Sequence, residues 1–313
     1  MVLNLADRED ASFAGLSPRA MPAHQPPGRL VFLGDGQASG AQLLEAQVAL
    51  LDAEPSGPAQ VAAMYRLAQR SAERFPRPAS GLRPLRTDLL PVRTTVAETL
   101  ALDPSFTPPS PLWALVGAGG DELGPQGIDI GADGPGVVVA GPPRSGRSTA
   151  LLAMVSSLLR SGTSVLAITP RRSPLRSLEG SPGVLGVLGA DLTPDDVTSL
   201  VTGVDRYVVV VDDAELLSDN PASFTLEQII VSGRDAEHGL LLAGTTDAMS
   251  RIYSGVVRTA LKSRCGLFVA LSGPGDGDLF GIRLPRGAGP GPLGRGLLVR
   301  PGSIAPVQVA LPS

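Results

Sequence analysis

Residues 141–149 read G-P-P-R-S-G-R-S-T and lie between an apolar run at 137–140 and a stretch with helical apolar periodicity. The two glycines free the backbone, so N–H groups of the loop and of the next helix can converge on one anion. The stretch follows the pattern G-x-x-x-x-G-K-[ST], whose loop cradles nucleotide phosphates and whose last hydroxyl reaches Mg²⁺. Ser148 stands at the hydroxyl position, whereas Arg147 stands where the pattern has lysine.

The whole loop is therefore a predicted cofactor-binding site. A surface turn rich in Gly, Pro and Ser is the alternative, and the flanking strand and helix weigh against it. A guanidinium is a wide planar fork, while the ammonium that it replaces is a compact charge suited to a tight phosphate cradle. The predicted ATP-binding residues are Gly141, Pro142, Pro143, Arg144, Ser145, Gly146, Arg147, Ser148 and Thr149, with Ser148 also at Mg²⁺.

A second signature is the apolar strand from Tyr207, which ends in Asp212 and Asp213. We expect Asp212 to hold Mg²⁺ through water and Asp213 to orient or deprotonate the attacking water. A strand followed by a capping aspartate is the alternative. Thr245 ends the next strand, where a polar side chain can sense the γ-phosphate, although a turn or cap fits equally well. Both signatures in this order favour nucleotide binding.

Apolar strands and helices alternate along the C-terminal two thirds of the chain. Continuous Val/Leu strands separated by helices predict an α/β fold with a mainly parallel sheet covered on both faces. Ligands of such sheets bind at the carboxyl ends of the strands, where the phosphate loop, Asp212 and Thr245 fall. Strands are predicted at 137–140, 164–169, 207–212, 240–245 and 266–271, and helices at 147–160, 193–202, 223–237 and 249–261.

Two segments near the ends of the chain match at an offset of 266 residues. Both contain Pro-x-Gly-Arg followed by a strand, with Gly28 matching Gly294 and Arg29 matching Arg295. We interpret this as an internal repeat, with a chance match of Gly and Pro as the alternative. Residues 1–53 are then the tail of a preceding, truncated copy, 54–111 a helix and Pro-rich linker, and 112–313 the domain that follows.

A helix is predicted from Pro58 to Phe75, and it carries two stripes at helical spacing. One stripe is apolar and comprises Val61, Met64, Tyr65, Ala68 and Phe75. The other is a row of arginines that suits a solvated face or contact with an acidic partner or nucleic acid, and it comprises Arg66, Arg70, Arg74 and Arg77.

The amino-acid composition limits the classes of protein to which this chain can belong. An apolar content of 43% and a mean hydropathy of +0.17 indicate a globular protein, and the net charge of −4 gives no general attraction to nucleic acid. The single cysteine, Cys265, permits no intrachain disulfide and fits a reducing compartment. No apolar run reaches the length needed to span a bilayer, so we expect a cytoplasmic chain whose membrane association would come from other parts of a parent protein.

Residues 112–313 resemble a motor domain of the FtsK/SpoIIIE translocases, in the RecA-like branch of P-loop ATPases. Besides the two signatures, the segment from Ser254 through Arg258 and Lys262 to Arg264 looks like the one between the fourth and fifth strands of that family. The stretch 111–129 is similar to the start of C-terminal ATPase domains in EccC-type proteins of type VII secretion.

This resemblance implies a RecA-like fold, ATP and Mg²⁺ as cofactors, and a hexameric ring that moves either DNA or a secreted polypeptide. It also implies that other ATPase domains of the same parent chain, and ring neighbours, are partners. Arg258, Lys262 and Arg264 lie on or just after one predicted helix, and in a ring one of them, such as Arg264, could reach a neighbour's nucleotide as an arginine finger; a surface role is the alternative for each. Together with the presence of only one lysine, Lys262, among 26 basic residues, the resemblance implies an actinobacterial source.

This sequence departs from the family pattern at two positions: Arg147 replaces the loop lysine, and Asp213 replaces the catalytic glutamate. These substitutions leave more than one hypothesis about function open. One hypothesis is a weakly hydrolytic motor domain with Asp213, Arg147, Thr245 and Arg264 as catalytic residues. The other is an inactive ATP-binding module that recognises a substrate protein or partner. A DNA-binding regulator with a nucleotide switch is a third class, disfavoured by the acidic balance.

Overall fold

The chain forms two compact units, Met1–Pro84 and Leu85–Ser313. The computed structural model describes residues 2–3, 17, 26, 28–32, 44–75, 86–233, 235–284, 286 and 288–312. In the first unit, an antiparallel sheet has the order β1-β2-β3 and is followed by one long helix. These elements are β1 (Val2–Leu3), β2 (Arg29–Phe32), β3 (Leu44–Gln47) and α1 (Gly57–Arg74).

The helix α1 begins where the sequence predicts, because Ser56 caps it and Pro58 occupies its first turn. Its apolar stripe, however, is exposed: the side chains named above lie at the surface, and the one buried residue of α1 is Ala63. In the arginine row, Arg66 pairs with Asp52 at 2.6 Å, while Arg77 lies outside the described residues.

The second unit contains one ten-stranded sheet with helices on both faces. Its strands are β4 (Trp113–Gly119), β5 (Gly124–Asp129), β6 (Gly136–Ala140), β7 (Ser164–Ile168), β8 (Val184–Leu188), β9 (Tyr207–Val211), β10 (His238–Gly244), β11 (Gly266–Val269), β12 (Arg295–Arg300) and β13 (Ser303–Val309). Its helices are α2 (Val96–Ala101), α3 (Arg147–Arg160), α4 (Pro194–Val201), α5 (Ser223–Ser232), α6 (Thr246–Ser250) and α7 (Gly255–Leu261).

The strand order is β5-β4-β13-β12-β11-β6-β10-β9-β7-β8. The six strands from β11 to β8 are parallel, and the other four join them in antiparallel pairs. All five residues of β9 are buried, and its alternating valines enter two different apolar clusters, one on each face. The predicted α/β fold with a mainly parallel sheet is confirmed.

Several elements differ from those predicted above. The helix predicted at 223–237 ends at Ser232, and the one predicted at 249–261 is divided into α6 and α7. The division lies before Gly255, whose φ of +78° breaks the helical path. The strands β4, β5, β8 and β13 and the helix α2 were not predicted. β8 has only five residues, and all of them are only partly buried.

The segment before β4 packs onto the second unit. Thr95 and Glu98 form a capping box at the start of α2, and the Val96 side chain is fully buried beside Trp113 and Leu115. Backbone N–H of Val96 donates to the carbonyl of Leu311 at 2.9 Å. The described residues from 86 onward therefore belong to the same compact unit as β4, whereas the sequence places the domain start at 112.

The turns that lead into β2 and β12 share one geometry. In each Pro-x-Gly-Arg stretch the glycine has a positive φ, +78° at Gly28 and +75° at Gly294. The arginine N–H donates to the proline carbonyl at 3.1 and 2.9 Å, and the glycine carbonyl accepts a bond of 2.9 Å from Val48 or 2.8 Å from Val309. The two matched sequence segments thus fold alike where both are described.

Candidate functional site

The phosphate loop leaves the carboxyl end of β6 and turns into α3. Gly141 is closely confined, because a Cβ atom there would lie 2.3 Å from the carbonyl oxygen of Val269. Gly146 has a φ of +100°, which an L side chain rarely adopts, and Arg144 has a φ of +63°. No side chain caps α3, so the first N–H groups of the helix are left without a capping partner. The loop has the backbone form that a phosphate cradle needs.

Two polar atoms in this loop are buried without a hydrogen-bond partner, namely Ser145 Oγ and Arg147 Nε. Each can donate a hydrogen bond, and buried donors normally have an acceptor. A phosphate group would provide acceptor oxygens for donors of this kind. The residues present therefore fit a nucleotide phosphate.

The guanidinium of Arg147 folds back onto its own loop. It donates to the carbonyls of Gly141 at 2.7 Å and Pro142 at 2.9 Å, and it pairs with Asp213 Oδ1 at 3.2 Å. Its side chain is only 11% exposed. Arg147 thus joins the phosphate loop to the acidic loop after β9, an arrangement that the planar fork of arginine allows and that the position of the residue in the pattern did not indicate.

Asp212 brings the two predicted signatures together. Its side chain is buried, and its Oδ2 accepts hydrogen bonds of 2.6 Å from both Ser148 Oγ and Ser173 Oγ. Hydroxyl and carboxylate oxygens are the ligands that suit Mg²⁺, which also keeps waters and phosphate oxygens. Ser148 and Asp212 fit the predicted metal role. Ser173 lies in no pattern that would have identified it from the sequence.

Asp213 occupies an electrostatically unfavourable position. Burial, and then the charges of Asp212 and Glu215, raise the pKa of its carboxyl above the ordinary value, against the attraction of Arg147. The backbone of Asp213 is left-handed, with a φ of +52°. Its carboxylate lies at the predicted edge of the sheet, but it is engaged by Arg147 rather than free to orient a water.

Thr245 is engaged in a similar way by Glu215. Both the N–H and the hydroxyl of Thr245 donate to Glu215 Oε1, at 3.1 and 3.0 Å. The other oxygen of Glu215, Oε2, is buried without a hydrogen-bond partner. A Cβ atom added to Gly244 would lie only 2.4 Å from this oxygen. Glu215 is therefore a site residue that the sequence reasoning missed, and the acidic D-D-x-E spacing after β9 was the signal available.

Arg264 lies elsewhere. It lies two residues before β11, at the amino ends of the parallel strands, whereas the phosphate loop follows the carboxyl end of β6. The structure does not bring Arg264 to the phosphate loop of its own chain. A catalytic role for it can only concern the nucleotide of a neighbouring chain.

A cavity of about 430 Å³ adjoins the phosphate loop. Its lining includes loop and helix residues Ser145, Gly146 and Thr149, together with the 92–93 segment and the end of β13. Arg295 Nη2 holds the preceding segment by donating to the carbonyls of Leu90 and Pro91, at 3.5 and 3.2 Å. The cavity is mostly apolar and has the size of a small-molecule site.

Two further properties concern metals and membranes. Across the described residues, no group of three or more His, Cys, Asp and Glu side chains is arranged to hold a metal ion. A Mg²⁺ ion at this site would therefore need phosphate oxygens and waters as additional ligands. In the part of the chain that the structure describes, no helix combines the length and the apolar character needed to cross a bilayer.

No family model matches the sequence, and neither does any curated protein. Among solved structures, the cytoplasmic domain of EssC is similar, with a TM-score of 0.61 and 15% identity over 99% of this chain and 63% of that one. ATPases 2 and 3 of Thermomonospora curvata EccC, in complex with a signal sequence peptide, give 0.57 and 20% over 94% and 55%. The fold is that of the EssC and EccC ATPases.

The conjugation coupling protein TcpA of pCW3, in its monomer form with ATPγS, gives a TM-score of 0.53 and 14% identity over 71% of each chain. This chain spans less than two thirds of the EssC and EccC structures that it matches. The EssC- and EccC-like fold confirms the RecA-like P-loop architecture expected from the resemblance.

Proposed function

We propose that this chain binds Mg·ATP at the phosphate loop and serves as an ATPase domain of an FtsK/SpoIIIE-type translocase, close to the EccC group of type VII secretion. One observation carries the proposal: the two signatures meet at one edge of the sheet, with Ser148 Oγ 2.6 Å from Asp212 Oδ2. The fold shared with EssC and EccC, and the structure of TcpA with ATPγS, support it.

The roles follow from the donors and acceptors at this edge. The loop N–H groups and Ser145 bind phosphate oxygens, and Ser148 and Asp212 hold the metal. Bound Mg²⁺ neutralises charge on the phosphates. Arg147 retains a free Nε donor for the same anion while its other nitrogens bind the loop and Asp213.

Hydrolysis is slow in this proposal. An aspartate is shorter than the usual glutamate by one methylene, about 1.5 Å, and misplacing a catalytic group by about 1 Å can lower a rate roughly 100-fold. The Arg147 contact further restrains Asp213. Binding depends mainly on backbone N–H groups and Ser148, which are in place, so affinity is retained while turnover is low.

A catalytically inactive module that recognises a substrate protein is the second candidate. Its support is the ion pair between Arg147 and Asp213, which engages both catalytic candidates with each other. The EccC structure with a signal sequence peptide shows that an ATPase pair of this fold binds a peptide.

Wider features belong to the same proposal. The shared geometry of the Gly28 and Gly294 turns supports residues 1–53 as the tail of a preceding homologous copy, followed by a helix and linker. A ring of neighbours would give Arg264 a nucleotide to reach. The translocated polymer would be a secreted polypeptide or DNA, and the domain would work in the cytoplasm.

Calorimetry with Mg·ATP and a steady-state ATPase assay test the proposal. We expect saturable heat of binding and turnover below roughly 1 s⁻¹, a low value for an enzyme. The absence of any binding heat would refute nucleotide binding. Fast turnover by the purified chain would refute the assignment of slow hydrolysis.

The double variant Arg147→Lys with Asp213→Glu separates the two candidates. It restores the compact phosphate charge and the longer carboxylate, so a decayed motor should gain about 10- to 100-fold in turnover. An inactive recognition module should gain nothing. The matched control exchanges the same residue types at exposed positions, Arg251→Lys with Asp219→Glu, and should leave turnover unchanged.

A further inference from the structure

The loop after β7 reaches the acidic loop through one buried hydroxyl. Ser173 is only 8% exposed, and its Oγ lies 2.6 Å from Asp212 Oδ2. The same Oγ lies 3.2 Å from the backbone nitrogen of Leu175. A backbone N–H can only donate, so Ser173 accepts from Leu175 and turns its own proton toward the carboxylate. The chemistry of the partners therefore fixes the direction of both hydrogen bonds.

Ser173 and Ser148 together saturate one oxygen of Asp212. A carboxylate oxygen has two lone pairs, and Oδ2 accepts one bond of 2.6 Å from each hydroxyl. The other oxygen, Oδ1, accepts from the backbone N–H of Asp213 at 3.2 Å. These three donors hold the carboxylate in one orientation. Because Ser148 gives its proton to Oδ2, its own lone pairs stay available for a cation.

The loop that carries this hydroxyl is itself held by the rest of the fold. Ser173 caps a short 3₁₀ turn, and Leu175 of that turn is fully buried in the same apolar cluster as Leu151 of α3. Arg176 closes the loop by donating from Nε to Thr169 Oγ1 at 3.2 Å and from Nη2 to the Thr169 carbonyl at 3.3 Å. The hydroxyl is therefore presented from a fixed part of the fold.

We infer that Ser173 is a positioning residue for the metal: it fixes the Asp212 carboxylate so that Asp212 and Ser148 hold Mg²⁺ beside the nucleotide phosphates. This inference rests on the proposed binding of Mg·ATP. Groups that hydrogen-bond to metal ligands orient those ligands, and removing one commonly lowers metal affinity about 10- to 100-fold. Ser173 acts through Asp212 and does not itself touch the metal or the nucleotide.

The test measures how much Mg²⁺ strengthens nucleotide binding. The Kd for ATP is determined by calorimetry in EDTA and again with excess Mg²⁺, and the first value divided by the second reports the contribution of the metal. Ser173→Ala should lower this ratio about tenfold and leave the Kd in EDTA within about twofold of that of the unmodified chain. A role only as the cap of the 3₁₀ turn would weaken binding equally under both conditions and leave the ratio unchanged.

Ser177→Ala is the matched control. Ser177 lies in the same 3₁₀ turn and its hydroxyl also makes a hydrogen bond, to the carbonyl of Pro174 at 2.8 Å, but the residue is exposed and away from Asp212. This control should keep the ratio of the unmodified chain. If Ser173→Ala does not fold, Ser173→Cys decides instead, because a thiol keeps the shape of the side chain and is only a weak donor. It should lower the ratio in the same direction.

The outcomes separate this inference from the proposed function. If the unmodified chain does not bind ATP in the presence of Mg²⁺, the proposed function fails and the inference fails with it. If the chain binds Mg·ATP and Ser173→Ala keeps the ratio, Ser148 alone orients Asp212, so the inference fails while nucleotide binding stands. A ratio that falls equally in Ser177→Ala would show a general effect of the turn and would also overturn the inference.

Discussion

At the scale of single residues, opposing charges act on the ionisation of the Asp213 carboxyl. Burial and two neighbouring carboxylates raise the pKa of its carboxyl above the ordinary 3.8, and Arg147 only partly opposes them. The folded protein therefore binds this proton more tightly than the unfolded chain does. As pH rises from 3.8 through the raised pKa, the contribution of Asp213 to the free energy of unfolding falls, and it stays lower at neutral pH.

Asp213→Asn should remove this dependence. Asparagine tolerates the left-handed backbone, so we expect the variant to be at least as stable as the unmodified chain at pH 7 and to lose less stability between pH 4 and pH 7. Urea unfolding at several pH values measures both quantities. Asp219→Asn, at an exposed position, is the control and should follow the unmodified chain. A marked loss of stability in Asp213→Asn at pH 7 would show that the Arg147 contact dominates.

The sequence predicts which residues gather here but not how they pair. The loop pattern and the strand ending in two aspartates place Ser148 beside Asp212, because parallel strands bring their carboxyl ends to one edge. The bond from Arg147 to Asp213 and that from Thr245 to Glu215 depend on side-chain rotamers and on loop paths. Spacing along the chain carries no information about either.

At the scale of the element, the phosphate loop depends on one close approach. Gly141→Ala would place a Cβ 2.3 Å from the Val269 carbonyl and 2.6 Å from Ser145 Oγ, so the loop or β11 must move. We expect a loss of about 2 kcal/mol in the free energy of unfolding and at least a tenfold weaker Kd for Mg·ATP, measured by urea unfolding and calorimetry. Gly275→Ala has open space around its Cβ and should change neither quantity. Unchanged ATP affinity in Gly141→Ala would mean that the loop adapts freely.

Strongly periodic elements could be predicted from the sequence and short ones could not. The apolar runs of β6 and β9 are buried on both sides, so composition alone marks them. The division between α6 and α7 depends on the positive φ of Gly255, which a glycine permits but does not require. The apolar stripe of α1 has helical spacing, yet the spacing does not reveal whether anything covers it.

At the scale of the whole molecule, the segment 86–111 lies in the same compact unit as the phosphate loop. The Pro-rich composition does not indicate this, because the residues that the segment contacts lie far away in the sequence. Arg295 binds the carbonyls of Leu90 and Pro91, and Val96 fills a place beside Trp113. The segment also contributes to one wall of the cavity beside the phosphate loop.

Two truncated chains test this assignment. Residues 85–313 contain every residue of the phosphate loop, the acidic loop and the cavity, so this fragment should fold and bind Mg·ATP within about threefold of the full chain. Residues 112–313 lack Val96 and the backbone partner of Leu311, and burial of one valine alone is worth about 2 kcal/mol. The shorter fragment should therefore lose at least that much stability in urea unfolding and bind ATP more weakly, because Val92 and Arg93 no longer close the cavity. If the two fragments have equal stability and equal affinity for ATP, residues 86–111 act only as a linker.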